Sequence, residues 1–458
     1  MTKKNFPFLL LFIACVLVTI YIFHPGYMDN DAVDQFEQGK SGLYNDWHPP
    51  IMSWLWGRLD QVIPGALGMF ALQVTLFWSG LGILISLAAP TLKSRFLYLL
   101  IGFFPPAFML LSTIIKDVAM AAALTFGFSL ILYSEKRRSI LLFIPGLVFL
   151  GYGMVTRHNA TLAAFPLFLY SGIALAKIYS SRTGTACAAW KSVTLGFALF
   201  IIVFAAGNLG TRYLTKIKSY PIQQIMLHDL VGISIRTKTN LVPQYLAVSE
   251  QPSMKDLRRI YQLGSMKNLY WPDFTPIHFK IIHDPTLVGD LFNTWIREVV
   301  KHPRAYLDHR SKVFAAVLNI KGGKTCGPYY YEETIYKPKG FYKNGSLDNY
   351  YSDNPITNRL FGLIEPLRNS LIYRNWLYVL LSMVLFVISI LVVLRSRSTE
   401  TSLANAALAL SASGSLYGLA YFFVATTCDF RMVYWNVFVT LTASIFLFSS
   451  FKRKKRES

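Results

Sequence analysis

The sequence predicts an all-α polytopic membrane protein with one mixed domain outside the membrane, and three observations support this class. Of the 458 residues, 53% are hydrophobic and only 15% are charged, whereas soluble proteins average about 25% charged residues. Apolar runs of the length that crosses a hydrocarbon core, about 17 to 25 residues, recur along the chain. Basic residues outnumber acidic ones by 45 to 24, which fits a membrane topology signal.

About ten apolar runs are predicted to be membrane spans. The fourth and fifth runs are short, so we expect them to be tilted or partly re-entrant. The first run follows Lys3 and Lys4 and has no small-residue cleavage site, so we expect an uncleaved anchor. The ten runs are Phe6 to Phe23, Leu67 to Ala89, Phe96 to Thr113, Val118 to Tyr133, Ile140 to Val155, Ala160 to Ala176, Val193 to Leu209, Trp376 to Leu394, Leu403 to Thr426 and Met432 to Phe451.

Basic residues predict the orientation, because positive charge at the ends of spans stays preferentially in the cytoplasm. With Lys3 and Lys4 inside, the basic residues of every second connection also fall inside, and both termini are cytoplasmic. These residues are Lys93, Arg95, Lys136, Arg137, Arg138, Lys177, Arg182, Lys191, Arg395, Arg397 and the tail from Lys452 to Arg456.

The same alternation divides the chain into two membrane bundles and one soluble domain. Residues 1–209 form a bundle of about seven spans with a first outer loop at 24–66. Residues 210–373 form the extracytoplasmic domain, and residues 374–458 form a bundle of about three spans with a basic cytoplasmic tail.

The soluble domain and the first outer loop carry opposite charge. The first loop has 2 basic and 6 acidic residues, whereas the block from Arg212 to Arg368 has 22 basic and 13 acidic ones. Within that block, Trp295 to Phe314 is predicted to be amphipathic, and Gly322 to Tyr351 to be loop or short strands. A basic domain of this kind suits an anionic lipid or glycan, and we expect no nucleic acid partner.

Two of the four cysteines, Cys326 and Cys428, are predicted to face the outside, where a disulfide is chemically permitted. A bridge would tie the soluble domain to the last pair of spans. Two unrelated free thiols are the alternative, because the sequence does not give the distance that a bridge requires.

Ionisable side chains gather at the predicted outer surface. Such groups are costly to desolvate near the hydrocarbon, so those without a cytoplasmic anchoring role are candidates for function. Five separated segments contribute them, namely Asp29-Asn30-Asp31, Asp46-Trp47-His48, Lys116-Asp117, Arg157-His158-Asn159, and Asp429 with Arg431.

The acidic first loop is the most informative segment. Asp or Asn is expected to cap a short helix that Gly39 ends. Asp34 and Glu37 then belong to a solvated face, whereas Asp29 and Asp31 are held near the bilayer and are the functional candidates. An Asp-x-Asp triplet can also hold a divalent metal on a nucleotide sugar, but nucleotide sugars are cytoplasmic. A sugar donor on the outer side must arrive on a lipid, so we expect no obligatory metal and no cofactor.

A carboxylate here can act as general base on an acceptor hydroxyl, and the displaced lipid phosphate needs cations. Arg157 and Arg431 suit the phosphate best, because a guanidinium binds it bidentately, and Lys116 supplies a compact charge. The alternative is that Lys116-Asp117 and Asp429-Arg431 are structural ion pairs at helix ends.

Three further positions are candidates for the site. His48 precedes Pro49-Pro50, which is either part of the site or a rigid turn that opens a helix from Ile51 to Trp56. His158 and Asn159 are polar residues in an otherwise apolar hairpin. His228-Asp229 is a weak candidate on the acceptor side, because an exposed pair in a loop is usually solvated.

These residues carry a resemblance. An acidic pair in the first outer loop followed by His48-Pro49-Pro50 resembles the GT-C class of membrane glycosyltransferases, which use polyprenyl-phosphate sugars. Ile115-Lys116-Asp117-Val118, Thr156 to Ala160, and Trp295 through His302-Pro303 to Tyr306 and Arg310 agree with it. They are similar to bacterial members that decorate surface glycans, including O-antigen glucosyltransferases.

The resemblance implies a catalytic Asp at Asp29 or Asp31, a lipid-phosphate site at Lys116, Arg157 and Arg431, and a soluble domain that binds the acceptor. It departs from members with a large C-terminal outer domain, since the soluble part here lies between spans seven and eight. We therefore expect an inverting hexosyltransferase of a bacterial inner membrane that acts on a surface glycan or lipid. A lipid-linked sugar flippase or transporter, and an O-antigen polymerase or ligase, are the alternatives.

Overall fold

The computed structural model describes residues 6–89, 91–185, 187–271, 277–320, 354–395 and 402–457. Within these ranges the chain forms α-helices and short 3-10 turns, and contains no strand. The first ten helices are α1 (Phe6–Phe23), α2 (Asn30–Ser41), α3 (Pro50–Asp60), α4 (Leu67–Ala88), α5 (Leu92–Leu99), α6 (Pro105–Leu111), α7 (Lys116–Arg137), α8 (Ile140–Val155), α9 (Ala160–Thr183) and α10 (Ala189–Leu214). The others are α11 (Gln223–Thr237), α12 (Met254–Ile260), α13 (Lys267–Tyr270), α14 (Pro285–Lys301), α15 (Pro303–Val317), α16 (Pro355–Ile364), α17 (Asn375–Arg395), α18 (Ser402–Val424) and α19 (Tyr434–Glu457).

Seven helices in the described part of the chain are long and apolar enough to cross a membrane, which fits a polytopic membrane protein. They are α4, α7, α9, α10, α17, α18 and the segment Phe430–Lys452 that contains most of α19. An eighth candidate consists of α5 and α6 if the two form one bent span. The remaining two predicted spans correspond to α1 and α8, which are apolar but shorter, so the expected count of ten is not confirmed.

The third and fourth predicted spans differ from expectation. The third is broken, because the chain bends by 63° between Leu92–Phe103 and α6. Pro105 and Pro106 open α6, and proline ends a preceding helix since it lacks an N–H and its ring clashes with the previous turn. The fourth, which was expected to be short, is the 22-residue helix α7 and begins at Lys116.

The helix bundle has two ends. We call them the Lys116 end and the Glu135 end, after residues near the start and the end of α7. At the Glu135 end, the carboxylate of Glu135 accepts a hydrogen bond from the Tyr170 hydroxyl (2.6 Å) and pairs with Lys177 Nζ (2.7 Å). Ser402 Oγ of α18 also donates to it, at 3.2 Å. A 22-residue helix is about 33 Å long, so α7 separates these ends by roughly the thickness of a hydrocarbon core.

The first loop forms two short helices at the Lys116 end. Asp29 caps α2 as predicted, but Gly39 does not end that helix, because Gly42 does so in the left-handed conformation (φ 69°). Gly39 instead lies where α2 crosses α3. A Cβ on Gly39 would lie 2.6 Å from the Ser53 carbonyl oxygen, and one on Gly57 would overlap the Gly39 carbonyl. The two backbones are therefore in direct contact.

In the segment predicted to be the soluble domain, α11 to α14 pack around an apolar core of their own, formed by residues such as Leu230, Leu257 and Leu291. Val313 and Val317 of α15 belong instead to the larger core of the helix bundle. The domain was expected to contain both helices and strands. Its described residues form helices and isolated β-bridges but no strand. The predicted amphipathic stretch is two helices, because His302-Pro303 separates α14 from α15. Gly322 to Tyr351 and Cys326 lie outside the described residues, so the expected bridge to Cys428 stays a prediction.

We expect Gly57→Ala to destabilise the protein, because its methyl group would meet backbone that cannot move independently. Overpacking of this kind lowers the free energy of unfolding by about 1–3 kcal/mol. The measurement is thermal unfolding in detergent. Gly210→Ala in α10 is the control, since a Cβ there meets no atom within 4 Å. Equal melting temperatures for the two variants would contradict the close crossing.

Candidate active site

The first loop is held beside the start of α7 by backbone pairing. Tyr27 N donates to Ser112 O (2.9 Å), and Ile114 N donates to Tyr27 O (2.8 Å). The Gln73 amide of α4 fixes the same strand-like segment by donating to Leu111 O (3.1 Å) and Thr113 O (2.9 Å). This pairing brings the residues that follow Tyr27 next to those that precede Lys116.

Asp29 is buried between a helix terminus and an arginine. One carboxylate oxygen accepts a hydrogen bond from Ala32 N at 2.8 Å and so caps α2. The other oxygen lies 3.0 Å from Nη1 of Arg431, which comes from the far end of the sequence. A capping bond and an ion pair therefore fix both oxygens of this side chain.

Asp31 lies among three basic side chains. Its Oδ2 is 3.3 Å from Lys116 Nζ and 3.1 Å from Arg431 Nη1, and its Oδ1 is 3.6 Å from His48 Nε2. The Asp31 side chain remains 31% exposed, whereas Asp29, His48 and Lys116 are more deeply enclosed. Arg431 thus bridges the two carboxylates of the first loop.

The two carboxylates have opposite pKa shifts. Burial, together with the negative charge of Asp31, raises the pKa of Asp29 to about 6, although Arg431 opposes the shift. Burial alone would also raise the pKa of Asp31, but the charges of Lys116 and Arg431 hold it well below the usual range. Asp31 is therefore ionised at neutral pH, and Asp29 titrates near pH 6.

His48 is a neutral imidazole in this arrangement. Burial and the Lys116 charge lower the pKa of His48 to about 3. Lys116 Nζ lies 2.6 Å from His48 Nδ1, so the ammonium donates to that nitrogen and the ring carries its hydrogen on Nε2. His48 also precedes α3, which begins at Pro50, so the expected helix-opening turn is present as well.

Arg431 is aimed by its own neighbour. Asp429 caps the 3-10 turn Phe430–Val433 by accepting from Arg431 N at 3.3 Å, and its Oδ2 lies 3.1 Å from Arg431 Nε. The expected Asp429–Arg431 pair therefore exists, and it leaves Nη1 directed at Asp29 and Asp31. The structural ion pair is therefore present, and the functional role of Arg431 stays a prediction.

Arg157 forms a second, deeper pair. It contacts Asp117, which is fully buried, so Asp117 pairs with Arg157 instead of the adjacent Lys116. The Arg157 guanidinium lies 5.8 Å from the centre of the Tyr421 ring, and Tyr421 donates to the Tyr417 hydroxyl at 2.9 Å. No polar motif marks these tyrosines in the sequence, although their i, i+4 spacing near the end of an apolar span is a usable signal.

His158 and Asn159 connect this pair to the first loop. Burial and Lys116 lower the pKa of His158, whose ring also interacts with the backbone of Trp47 and Asp46. Asn159 hydrogen-bonds with the Tyr421 side chain. The structure therefore brings all five predicted segments to the Lys116 end, with Asp29, Asp31, His48, Lys116 and Arg431 in one network.

His228 and Asp229, the weak acceptor-side candidates, are not an exposed pair in a loop. Both lie in α11 and are fully buried. Asp229 accepts from Arg310 twice (Nε and Nη2, each 2.7 Å) and from Trp295 Nε1 (2.9 Å), and it lies 3.0 Å from His309 Nε2. Burial would raise the pKa of Asp229, but His309 and Arg310 lower it.

This buried cluster contacts the membrane bundle. Arg310 Nη1 donates to the carbonyl of Ala425, just beyond α18, at 2.7 Å. Cys428 N donates to Gly264 O of the soluble domain at 2.9 Å. The domain therefore holds the connection between α18 and Arg431. Trp295 and Arg310 are the residues of this cluster that belong to the predicted motif around His302-Pro303.

The described residues contain no group of three or more His, Cys, Asp or Glu side chains arranged to hold a metal ion. In comparisons with known proteins, no family model, curated protein or solved structure matches the chain. The function therefore has to be argued from the geometry of this site.

We expect Arg310→Gln to destabilise the protein by about 3–5 kcal/mol, because it leaves Asp229 buried without its charged partner. Thermal unfolding measures the effect. Lys312→Gln on the same helix is the matched control, since Lys312 forms an exposed pair with Asp308 (2.9 Å) and such pairs contribute about 1 kcal/mol or less. Similar melting temperatures for both variants would contradict the structural importance of the cluster.

Proposed function

We propose that this chain is a GT-C-type glycosyltransferase of a bacterial inner membrane. It transfers one sugar, such as glucose, from an undecaprenyl-phosphate donor to an extracytoplasmic glycan or lipid. One observation carries the proposal: carboxylates and cations that are far apart in sequence meet at one end of an apolar helical bundle. Asp29 and Arg431, separated by 402 positions, are in direct contact there.

Asp29 is the proposed general base. A base works best when its pKa lies near the operating pH, so that it is ionised and still binds a proton strongly. The pKa of Asp29, about 6, meets this condition, whereas the pKa of Asp31 is too low. Asp29 takes the proton of the acceptor hydroxyl while that oxygen attacks the anomeric carbon. The bond from that carbon to the phosphate oxygen breaks on the opposite side, and the centre is inverted.

Lys116 and Arg431 are the proposed partners of the leaving group. The donor is a phosphodiester, and the departing lipid phosphate gains one negative charge, which nearby cations stabilise as it develops. Both side chains are now paired with Asp31, so the phosphate competes with that carboxylate for them. Because the phosphate brings a negative charge, its binding also raises the pKa of Asp29 and strengthens the base.

Arg157 has a supporting role in this proposal. It is paired with buried Asp117 and lies against the Tyr421 ring. Its positive charge acts on the neighbouring Lys116. His48 accepts from Lys116 and keeps that ammonium beside Asp31. With these cations available, the proposed reaction does not depend on a metal ion. The basic soluble domain is the proposed acceptor-binding surface, and it lies outside the cytoplasm.

Sugar transfer is tested directly with the purified protein in liposomes that contain undecaprenyl phosphate carrying radiolabelled glucose. We expect label to appear in an added surface-glycan or lipid acceptor, and chelation by EDTA to leave the rate unchanged. Movement of labelled donor across the bilayer without transfer to any acceptor would instead support a flippase, and would refute the proposal.

We expect Asp29→Asn to lower kcat by about 100- to 10,000-fold, the usual contribution of a general base. Asp34→Asn is the control, since Asp34 is exposed on the same helix and accepts a hydrogen bond from Gln38 at 2.7 Å. Both variants need to be folded and inserted, as judged by gel filtration and protease protection. Full activity of Asp29→Asn would rule out this residue as the base.

The pH dependence distinguishes the two carboxylates. Because only ionised Asp29 accepts a proton, kcat/KM is expected to fall as the pH drops below about 6. Asp31 raises the pKa of Asp29 by its negative charge, so Asp31→Asn should move this acidic limb to lower pH. The measurement is a pH–rate profile of each protein. A limb that moves to higher pH would contradict the assignment.

A further inference from the structure

The short helix α16 and the turns that follow it connect the soluble domain to α17. Two side chains join the start of α16 to the last turn of α1. Asn354 Nδ2 donates to Tyr21 O (3.0 Å), and the Thr357 hydroxyl donates to Ile22 O. At the other end, Leu371–Tyr373 leads directly into α17 at Asn375. The segment is therefore level with the ends of two apolar helices.

The surface of α16 is divided into three sectors. Thr357 and Phe361 are buried against the bundle. A second sector is apolar but exposed: Ile356 is 44% and Leu363 73% exposed, and the following turns add Leu367 and Leu371. The third sector is polar and includes Gly362, about 100° from Leu363 around the helix. A helix with this division, in plane with the ends of spans, is typical of the membrane interface.

The charges beside the exposed apolar sector are mainly positive. The segment contains three basic residues, Arg359, Arg368 and Arg374, and one acidic residue, Glu365. Glu365 pairs with Arg368 at 3.2 Å. Long arginine side chains can keep their charge at the headgroups while their stems cover apolar surface, and anionic headgroups attract them. The exposed apolar surface also continues onto α1, where Tyr21 is 65% exposed.

We propose that residues 354–374 form an in-plane helix segment that inserts its exposed apolar sector into the outer leaflet of an anionic bilayer. This inference does not depend on the proposed transferase activity. The segment also lies close to the candidate site. The ring centres of Phe361 and Tyr27 are 6.1 Å apart, and those of Tyr373 and Phe430 are 5.4 Å apart. The segment thus packs against residues close to Asp29 and next to Arg431.

The test uses the full chain in nanodiscs with an environment-sensitive fluorescent amino acid, introduced by codon suppression so that the four cysteines stay unlabelled. The probe replaces Leu363, or, as the matched neighbour, Gly362, where an added Cβ meets no atom within 4 Å. Brominated lipids quench a probe in the bilayer, and iodide quenches a probe in water. We expect brominated lipids to quench the probe at 363 and iodide to quench the probe at 362.

Iodide quenching of equal strength at both positions would overturn the proposal, because the apolar sector would then face water. Absence of quenching by either agent at 363 would also overturn it, since another protein segment would then cover the sector. For the anionic preference, Arg359→Gln with Arg368→Gln should weaken bromolipid quenching at 363 in phosphatidylglycerol discs and leave it unchanged in phosphatidylcholine discs. An equal effect in both lipids would exclude that preference.

Discussion

The bridge that Arg431 makes between Asp29 and Asp31 is the interaction on which the candidate site depends. Two carboxylates this close together repel each other, and burial raises the energy of each charge. The guanidinium of Arg431 lies 3.0 Å from Asp29 and 3.1 Å from Asp31. It offsets both the repulsion between the carboxylates and the energetic cost of their burial. Since Arg431 follows the penultimate membrane helix and the acids follow the first, this contact also joins the two ends of the chain into one bundle.

The predicted soluble domain also contacts the segment that carries Arg431. Asp229 and Arg310 form a fully buried, bidentate ion pair. Arg310 Nη1 also donates to the carbonyl of Ala425. Asn375 Nδ2 at the start of α17 donates to the Asp429 carbonyl at 3.3 Å. The segment that carries Arg431 is therefore held at two points, Ala425 and Asp429, by hydrogen bonds to its backbone carbonyls.

Sequence patterns predicted the helices, and the meeting of five polar segments at one end of the bundle, better than they predicted individual side-chain contacts. Hydrophobic runs matched the seven described helices that are long and apolar enough to cross a membrane, and the distribution of lysine and arginine predicted which helix ends meet. The patterns failed where tertiary packing decides. Gly39 looked like a helix end, yet it serves a backbone crossing with Gly57. His228 and Asp229 looked exposed, because nothing local shows that α15 supplies Arg310 and His309 to them.

The same limit explains why the sequence left Asp29 and Asp31 equivalent. Two residues apart at the start of one helix, they differ through their partners, most of which come from distant parts of the chain. Asp29 must point back to cap α2 and receives one cation, whereas Asp31 points into the space between Lys116, Arg431 and His48. Fixed charges thereby drive the two pKa values apart. Carboxylates separated in this way suit different tasks, one binding and releasing a proton and the other holding cations in place.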